Sequence, residues 1–136
     1  MVKLILGSAG TGKTKTIIDM VNSAVKEAKG NIVCIAKGDK LKFDISYDAR
    51  LINVDEYAVR GYEELMGFVA GMHAGNYDIC EFYIDSLFKV AGDKDTKHCE
   101  AFLKELDAFA TKHSVSFVVA MSCEPDELTE DMKKYL

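Results

Sequence analysis

The sequence predicts an α/β fold, a mainly parallel five-stranded sheet with helices on both faces. Three observations carry that expectation. Short apolar runs alternate with amphipathic runs along all 136 residues. Most of the apolar runs are continuous, as strands buried on both faces should be. The first of them empties into a loop of three glycines that opens a helical pattern. The length suits a single domain spanning residues 1–136.

Strands are expected at about Val2 to Leu6, Ile32 to Ala36, Leu51 to Val54, Phe82 to Ile84 and Val115 to Met121. The first helix should run from Lys13 to Lys29, because Ile17, Ile18, Val21, Ala24, Val25 and Ala28 recur at three- and four-residue spacing. Gly30 and Asn31 supply its stop. A second helix covers Tyr57 to Met72, with Leu65, Phe68, Val69 and Met72 inward and Gly67 and Gly71 open to a close neighbour. The third spans Lys97 to Lys112, started by "GDKDT" and packed through Phe102, Leu103, Leu106, Phe109 and Ala110. A last helix begins near Pro125, the only proline, whose fixed φ suits a first turn. Between Lys40 and Asp48 the order "KLKFDISYD" alternates polar and apolar, placing Leu41, Phe43, Ile45 and Tyr47 on one side of an edge strand or ribbon.

Composition narrows the function. The 22 acidic residues outnumber the 17 basic ones, a formal charge of -5, which argues against a nucleic-acid backbone as partner. The only arginines are Arg50 and Arg60, so phosphate chemistry must rely on backbone and lysine. Cys34, Cys80, Cys99 and Cys123 form no CxxC pair, which argues against zinc and for reduced thiols in a cytoplasmic protein. No run approaches the roughly 18 apolar residues of a membrane span. His73, His98 and His113 lack ligand spacing and read as solvated groups at helix ends or loops. Tyr57, Tyr62 and Phe68 read as packing residues at helical spacing.

The opening "MVKLILGSAGTGKT" carries the chemistry. Gly7, Gly12, Lys13 and Thr14 fit G-x-x-x-x-G-K-[ST], the phosphate-binding loop. Backbone N–H groups can converge on phosphate oxygens only where no side chain intervenes, hence the glycines, and the following helix adds unsatisfied donors and its positive dipole end. Such a pattern arises by chance in about one protein of this size in a few hundred, given average glycine usage. Here it also follows a strand and opens a helix, the context that gives it meaning. The expected nucleotide-binding set is Gly7, Ser8, Ala9, Gly10, Thr11, Gly12, Lys13 and Thr14, with Thr16 in the first helical turn. Lys13 is expected on the β- and γ-phosphates of ATP and the Thr14 hydroxyl on Mg²⁺. A carboxylate at the end of a neighbouring strand should complete the metal site. "EFYIDSL" offers Asp85, the preferred candidate, and "RLINVDEY" offers Asp55 and Glu56.

Together "GSAGTGKT", "FYIDSL" and "FVVAMS" resemble the core of RecA-like P-loop ATPases, over most of the chain. The whole is also similar to small bacterial ATP-binding proteins labelled as twitching-motility ATPases, although the histidine- and aspartate-rich motifs of motility ATPases do not occur in these residues. The resemblance implies a three-layer P-loop NTPase fold whose strands stand in the order third, second, Asp85 strand, Val115 strand, phosphate-loop strand. It places Ser122 near the γ-phosphate and expects a hydrolytic glutamate at the end of the second strand. This sequence reads "CIAKGD" there, with Lys37 at about that place and Asp39 two residues on, and Glu56 lies on the outer strand.

Three functions follow as expectations. The first is an ATP- and Mg²⁺-binding protein with weak or partner-stimulated ATPase activity, using Lys13, with Asp39 or Glu56 orienting the attacking water. The second is a nucleotide-gated interaction module without turnover. The third is a nucleoside or nucleotide kinase, since "VCIAKGD" and "NVDEY" resemble the thymidine kinase layout, although arginines for a lid and cysteine pairs are lacking. The strand Val2 to Leu6 is expected at a bare sheet edge that invites a homodimer or a protein partner.

Overall fold

A computed structural model of the chain describes residues 1–8 and 10–136. Five strands form one sheet: β1 (Val2–Gly7), β2 (Asn31–Ala36), β3 (Ala49–Asn53), β4 (Ile79–Ile84) and β5 (Ser116–Ser122). Their order is β1-β5-β4-β2-β3 and every pairing between them is parallel. The helices are α1 (Lys13–Glu27), α2 (Gly61–Gly75), α3 (Leu87–Ala91), α4 (Thr96–His113) and α5 (Glu130–Lys133). All five strands therefore end on the same edge of the sheet, and the loops that leave them gather there. Ligands of open parallel sheets bind along that edge.

Alternation along the strands builds two cores. On one face Ile17 and Val21 of α1 pack on Ile32, Cys34, Ala36, Tyr83, Val118 and Ala120. On the other, Leu65 and Val69 of α2 and Phe102, Leu103 and Leu106 of α4 cover Val33, Ile35, Phe82, Ile84, Phe117 and Val119. Phe82 and Phe117 stack across neighbouring strands with centroids 5.0 Å apart. Each such fully buried side chain contributes about 1.5–3 kcal/mol over its exposed state. Two caps set helix ends: the Asp95 carboxylate accepts from Lys97 N and His98 N to start α4, and Ala28 N donates to Ala24 O to close α1. Gly30 follows because the chain passes so close to β4 that a Cβ there would meet Asp78 O at 2.4 Å.

Several expectations need correction. Residues 40–48 form turns, not a strand. Asp44 N and Ile45 N both donate to Leu41 O, so Leu41 and Ile45, four apart, bury together while Phe43 and Tyr47 stand fully out in solvent. Asn22 of α1 fixes this loop, donating to Asp44 O and accepting from Ser46 N, both at 2.8 Å. The second helix does not begin at Tyr57. A 3₁₀ turn, Val54–Tyr57, ends at Ala58 with φ 53°, and α2 starts only at Gly61. Gly67 and Gly71 face open space, with no neighbour close to either. Phe68 and Met72 are only partly buried, and Tyr62 and His73 take the inner positions instead. The Tyr62 hydroxyl donates to Asp93 O at 2.7 Å while its ring meets Phe102. His73 is likewise not a solvated group: it is buried, edge-on to Phe109 and 4.8 Å from the His113 ring.

The first-strand edge carries one contact from the chain's own C-terminal region, where Leu4 N donates to Tyr135 O at 2.7 Å. Among the described residues no helix is long and apolar enough to cross a membrane.

Candidate functional site

The site is built where β1 turns into α1. Gly7 closes the strand, and a Cβ there would strike Thr11 Oγ1 at 2.3 Å. Gly12 precedes the helix with φ 86°, a left-handed conformation that costs glycine nothing and other residues about a kcal/mol or more. The Ser8 carbonyl is the hub of the loop, accepting from Thr11 N, from Thr11 Oγ1 at 2.7 Å and from Lys13 Nζ at 2.8 Å. Lys13 is largely buried, and its ammonium is turned onto the loop's own carbonyl oxygen. Ala9 falls outside the described residues.

Across the sheet edge, β4 brings Asp85 to the same place. Its backbone N–H bonds Ile35 O of β2, and its carboxylate receives the Thr14 hydroxyl, 3.2 Å from each oxygen. Of the candidate carboxylates, Asp85 is therefore the one that meets the loop; Asp55 is turned to Lys37 instead. Burial pushes the Asp85 carboxyl up from its ordinary value, opposed by the Thr14 hydroxyl, the positive charges of Lys13 and Lys89, and the Ser86 side chain. Ser86 itself holds φ 58° and ψ 64°, a left-handed conformation uncommon for serine, where the chain turns from β4 into α3.

The remaining expected residues lie around this centre. Ser122 ends β5 in register with Gly7 and is exposed. The Thr16 hydroxyl is turned back onto Gly12 O at 3.1 Å. Gly10, with φ 84°, stands free of neighbours. Asp39 and Glu56 occupy loops on the same sheet edge, but no hydrogen bond or ion pair among the described residues joins either to Lys13, Thr14 or Asp85. Asp39 accepts from Asn53 Nδ2 at 3.3 Å, and Glu56 lies exposed in the 3₁₀ turn.

Sequence reasoning missed two residues and one pairing. Asn53 is one: its side-chain oxygen takes Gly38 N at 2.8 Å and Asp55 N at 3.0 Å, tying the β2 and β3 exits together. An asparagine between an apolar run and an acidic turn is the only signal for it. Lys37 is paired with Asp55 at 2.5 Å, which no spacing rule announces. The left-handed Ser86 has no sequence signal.

Burial, with the Asp85 charge behind it, pushes the Cys34 thiol up to about 12, and no group of three or more His, Cys, Asp or Glu side chains among the described residues could hold a metal alone. No protein-family model matches the chain, and neither does any curated protein.

Proposed function

We propose that the chain binds a magnesium-complexed nucleoside triphosphate, ATP by resemblance, through the β1–α1 loop, and that its fold is of the three-layer P-loop type with RecA-like strand order. The observation that carries this is the meeting of Thr14 and Asp85, 71 residues apart in sequence, at the turn where the largely buried Lys13 bonds the Ser8 carbonyl. A hydroxyl and a carboxylate are hard oxygen donors. Mg²⁺ characteristically takes one or two such protein ligands and completes its shell with phosphate oxygens and water. That donor set suits the cation. The strand order supports the same reading, because one strand, β5, separates the loop strand from the Asp85 strand, as the resemblance implies.

Each residue then has a role. Glycines at 7, 10 and 12 let backbone N–H groups face the phosphates, with the N-terminus of the 15-residue α1 behind them. Lys13 exchanges the Ser8 carbonyl for phosphate oxygens, and Thr14 and Asp85 hold the cation. A cation held there would supply positive charge against the phosphate oxygens. Ser122 lies beside Gly7, at the phosphate end of the site.

Turnover is expected to be slow. A carboxylate must position the attacking water, yet β2 exits into Lys37, and Asp39 is held by Asn53. This favours the second reading, a nucleotide-gated interaction module. Phosphoryl transfer to a nucleoside is disfavoured by having only two arginines, of which Arg50 is on the outermost strand, its guanidinium near Tyr57.

The test is calorimetric titration of Mg-ATP into wild-type and Lys13→Ala protein, with phosphate release measured alongside. Binding by wild type, weakened about tenfold or more in the variant through loss of a charge-assisted contact, supports the site. Equal affinity of the two proteins removes it.

A further inference from the structure

The exits of β2 and β3 hold a cation whose pairing has no structural necessity. Lys37 follows Ala36 directly. Ile35 is in register with Ile84 and accepts the N–H of Asp85, so the Lys37 backbone leaves the sheet beside the carboxylate that Thr14 meets. Its ammonium is drawn away from that centre by Asp55, which sits in the 3₁₀ turn after β3. Both side chains are about half exposed, 50% and 48%. Ion pairs of that kind are held weakly and are screened by salt. By contrast the turns that present them are firmly set. The Asn53 side chain bonds Gly38 N and Asp55 N, and Gly38 adopts φ +87°, which glycine alone tolerates freely. The backbone is held by these bonds, while the ammonium is held by an exposed carboxylate alone among the described side chains.

We propose that Lys37 is a ligand of the terminal phosphate of the bound triphosphate, and that Asp55 is the counter-ion that holds it in reserve. This rests on the nucleotide reading above and deepens it. A terminal phosphate carries more charge than one carboxylate, so it outcompetes Asp55 for the ammonium. A diphosphate ends too early to do so. Lys37 therefore gives the site its preference for triphosphate over diphosphate. It also explains why this position holds no water-positioning carboxylate: an ammonium there stabilises the bound triphosphate but accepts no proton.

The experiment measures the affinities of Mg-ADP and of a nonhydrolysable Mg-ATP analogue for wild type, Lys37→Ala, Lys37→Arg and Asp55→Asn, each checked for an unchanged unfolding midpoint. Lys37→Ala is expected to weaken the analogue by about tenfold or more, the worth of a hydrogen bond to a charged group, and to leave Mg-ADP within about twofold. Arginine at 37 should restore most of the preference. Asp55→Asn should tighten the analogue by up to about fivefold, since it removes a competing exposed pair. An unchanged ratio of analogue to ADP affinity in Lys37→Ala, with both nucleotides still bound, overturns the Lys37 assignment alone. Failure of wild type to bind either nucleotide overturns the site itself and this assignment with it.

Discussion

Replacing Thr14 with valine keeps the volume of the side chain and deletes one hydroxyl, which separates two effects that are otherwise entangled. In the folded protein that hydroxyl donates to a carboxylate that is only 7% exposed. A hydrogen bond to a charged group is worth about 1.5–3 kcal/mol, and the long 3.2 Å geometry to each oxygen favours the lower end of that range. Thr14→Val should therefore lose about 1–2 kcal/mol of folding stability while Asp85 is ionised. The loss should shrink in acid. Burial already raises the Asp85 carboxyl above its unfolded value, so the folded chain holds that proton more tightly than the unfolded one. The group's own contribution to stability is full below the unfolded value and is lost as pH climbs through the raised one. Once Asp85 is protonated, the missing donor matters less, and the two proteins should converge. Urea unfolding of both proteins at neutral pH and near pH 4 reads the difference. The same substitution should weaken Mg-ATP while leaving magnesium-free ATP little changed. An unfolding midpoint equal to wild type at neutral pH, with Mg-ATP affinity also equal, would refute the assignment of Thr14 and Asp85 to one site.

Three further outcomes are expected. Mg-nucleotide affinity should fall as pH drops through the raised Asp85 value, and Asp85→Asn should abolish that dependence along with the magnesium requirement, both read by titration across pH. Gly30→Ala should destabilise by about 1–3 kcal/mol, an overpacking cost, because its Cβ would fall 2.4 Å from the Asp78 carbonyl oxygen, and thermal unfolding measures it. Asp95→Ala should cost about 1 kcal/mol through loss of the α4 cap, seen as a lower urea midpoint without change in nucleotide affinity.

Much of the sheet was legible because parallel strands buried on both faces leave continuous apolar runs. Val2–Gly7, Asn31–Ala36 and Ser116–Ser122 each fall within a residue of expectation at either end. Strand β4 reaches back to Ile79, further than expected, because Glu81 interrupts its apolar pattern. The 40–48 segment misled because Leu41, Phe43, Ile45 and Tyr47 satisfy a two-residue period in sequence, while only Leu41 and Ile45 are buried, and that four-residue spacing belongs to a helical turn. A period alone cannot reveal that Asn22 clamps the loop from another element. The break before α2 was hidden for a related reason: Ala58 takes a left-handed conformation that its chemistry does not advertise. At the candidate site, the turn from β1 into α1 that carries the glycines, Lys13 and Thr14 was legible because its residues lie close together in sequence. The Lys37–Asp55 and Asn53 contacts were not, since they join chain segments through a register that only the folded sheet supplies.

The central claim is that the β1–α1 turn is a seat for a triphosphate tail. It is met most directly by a crystal structure of the wild-type protein grown with magnesium and a nonhydrolysable ATP analogue. The account predicts density for phosphates against the backbone of residues 10–14, Lys13 Nζ moved from the Ser8 carbonyl onto them, and a cation between Thr14 and Asp85. Saturating analogue with no density at that turn, and Lys13 still bonded to Ser8, would contradict it.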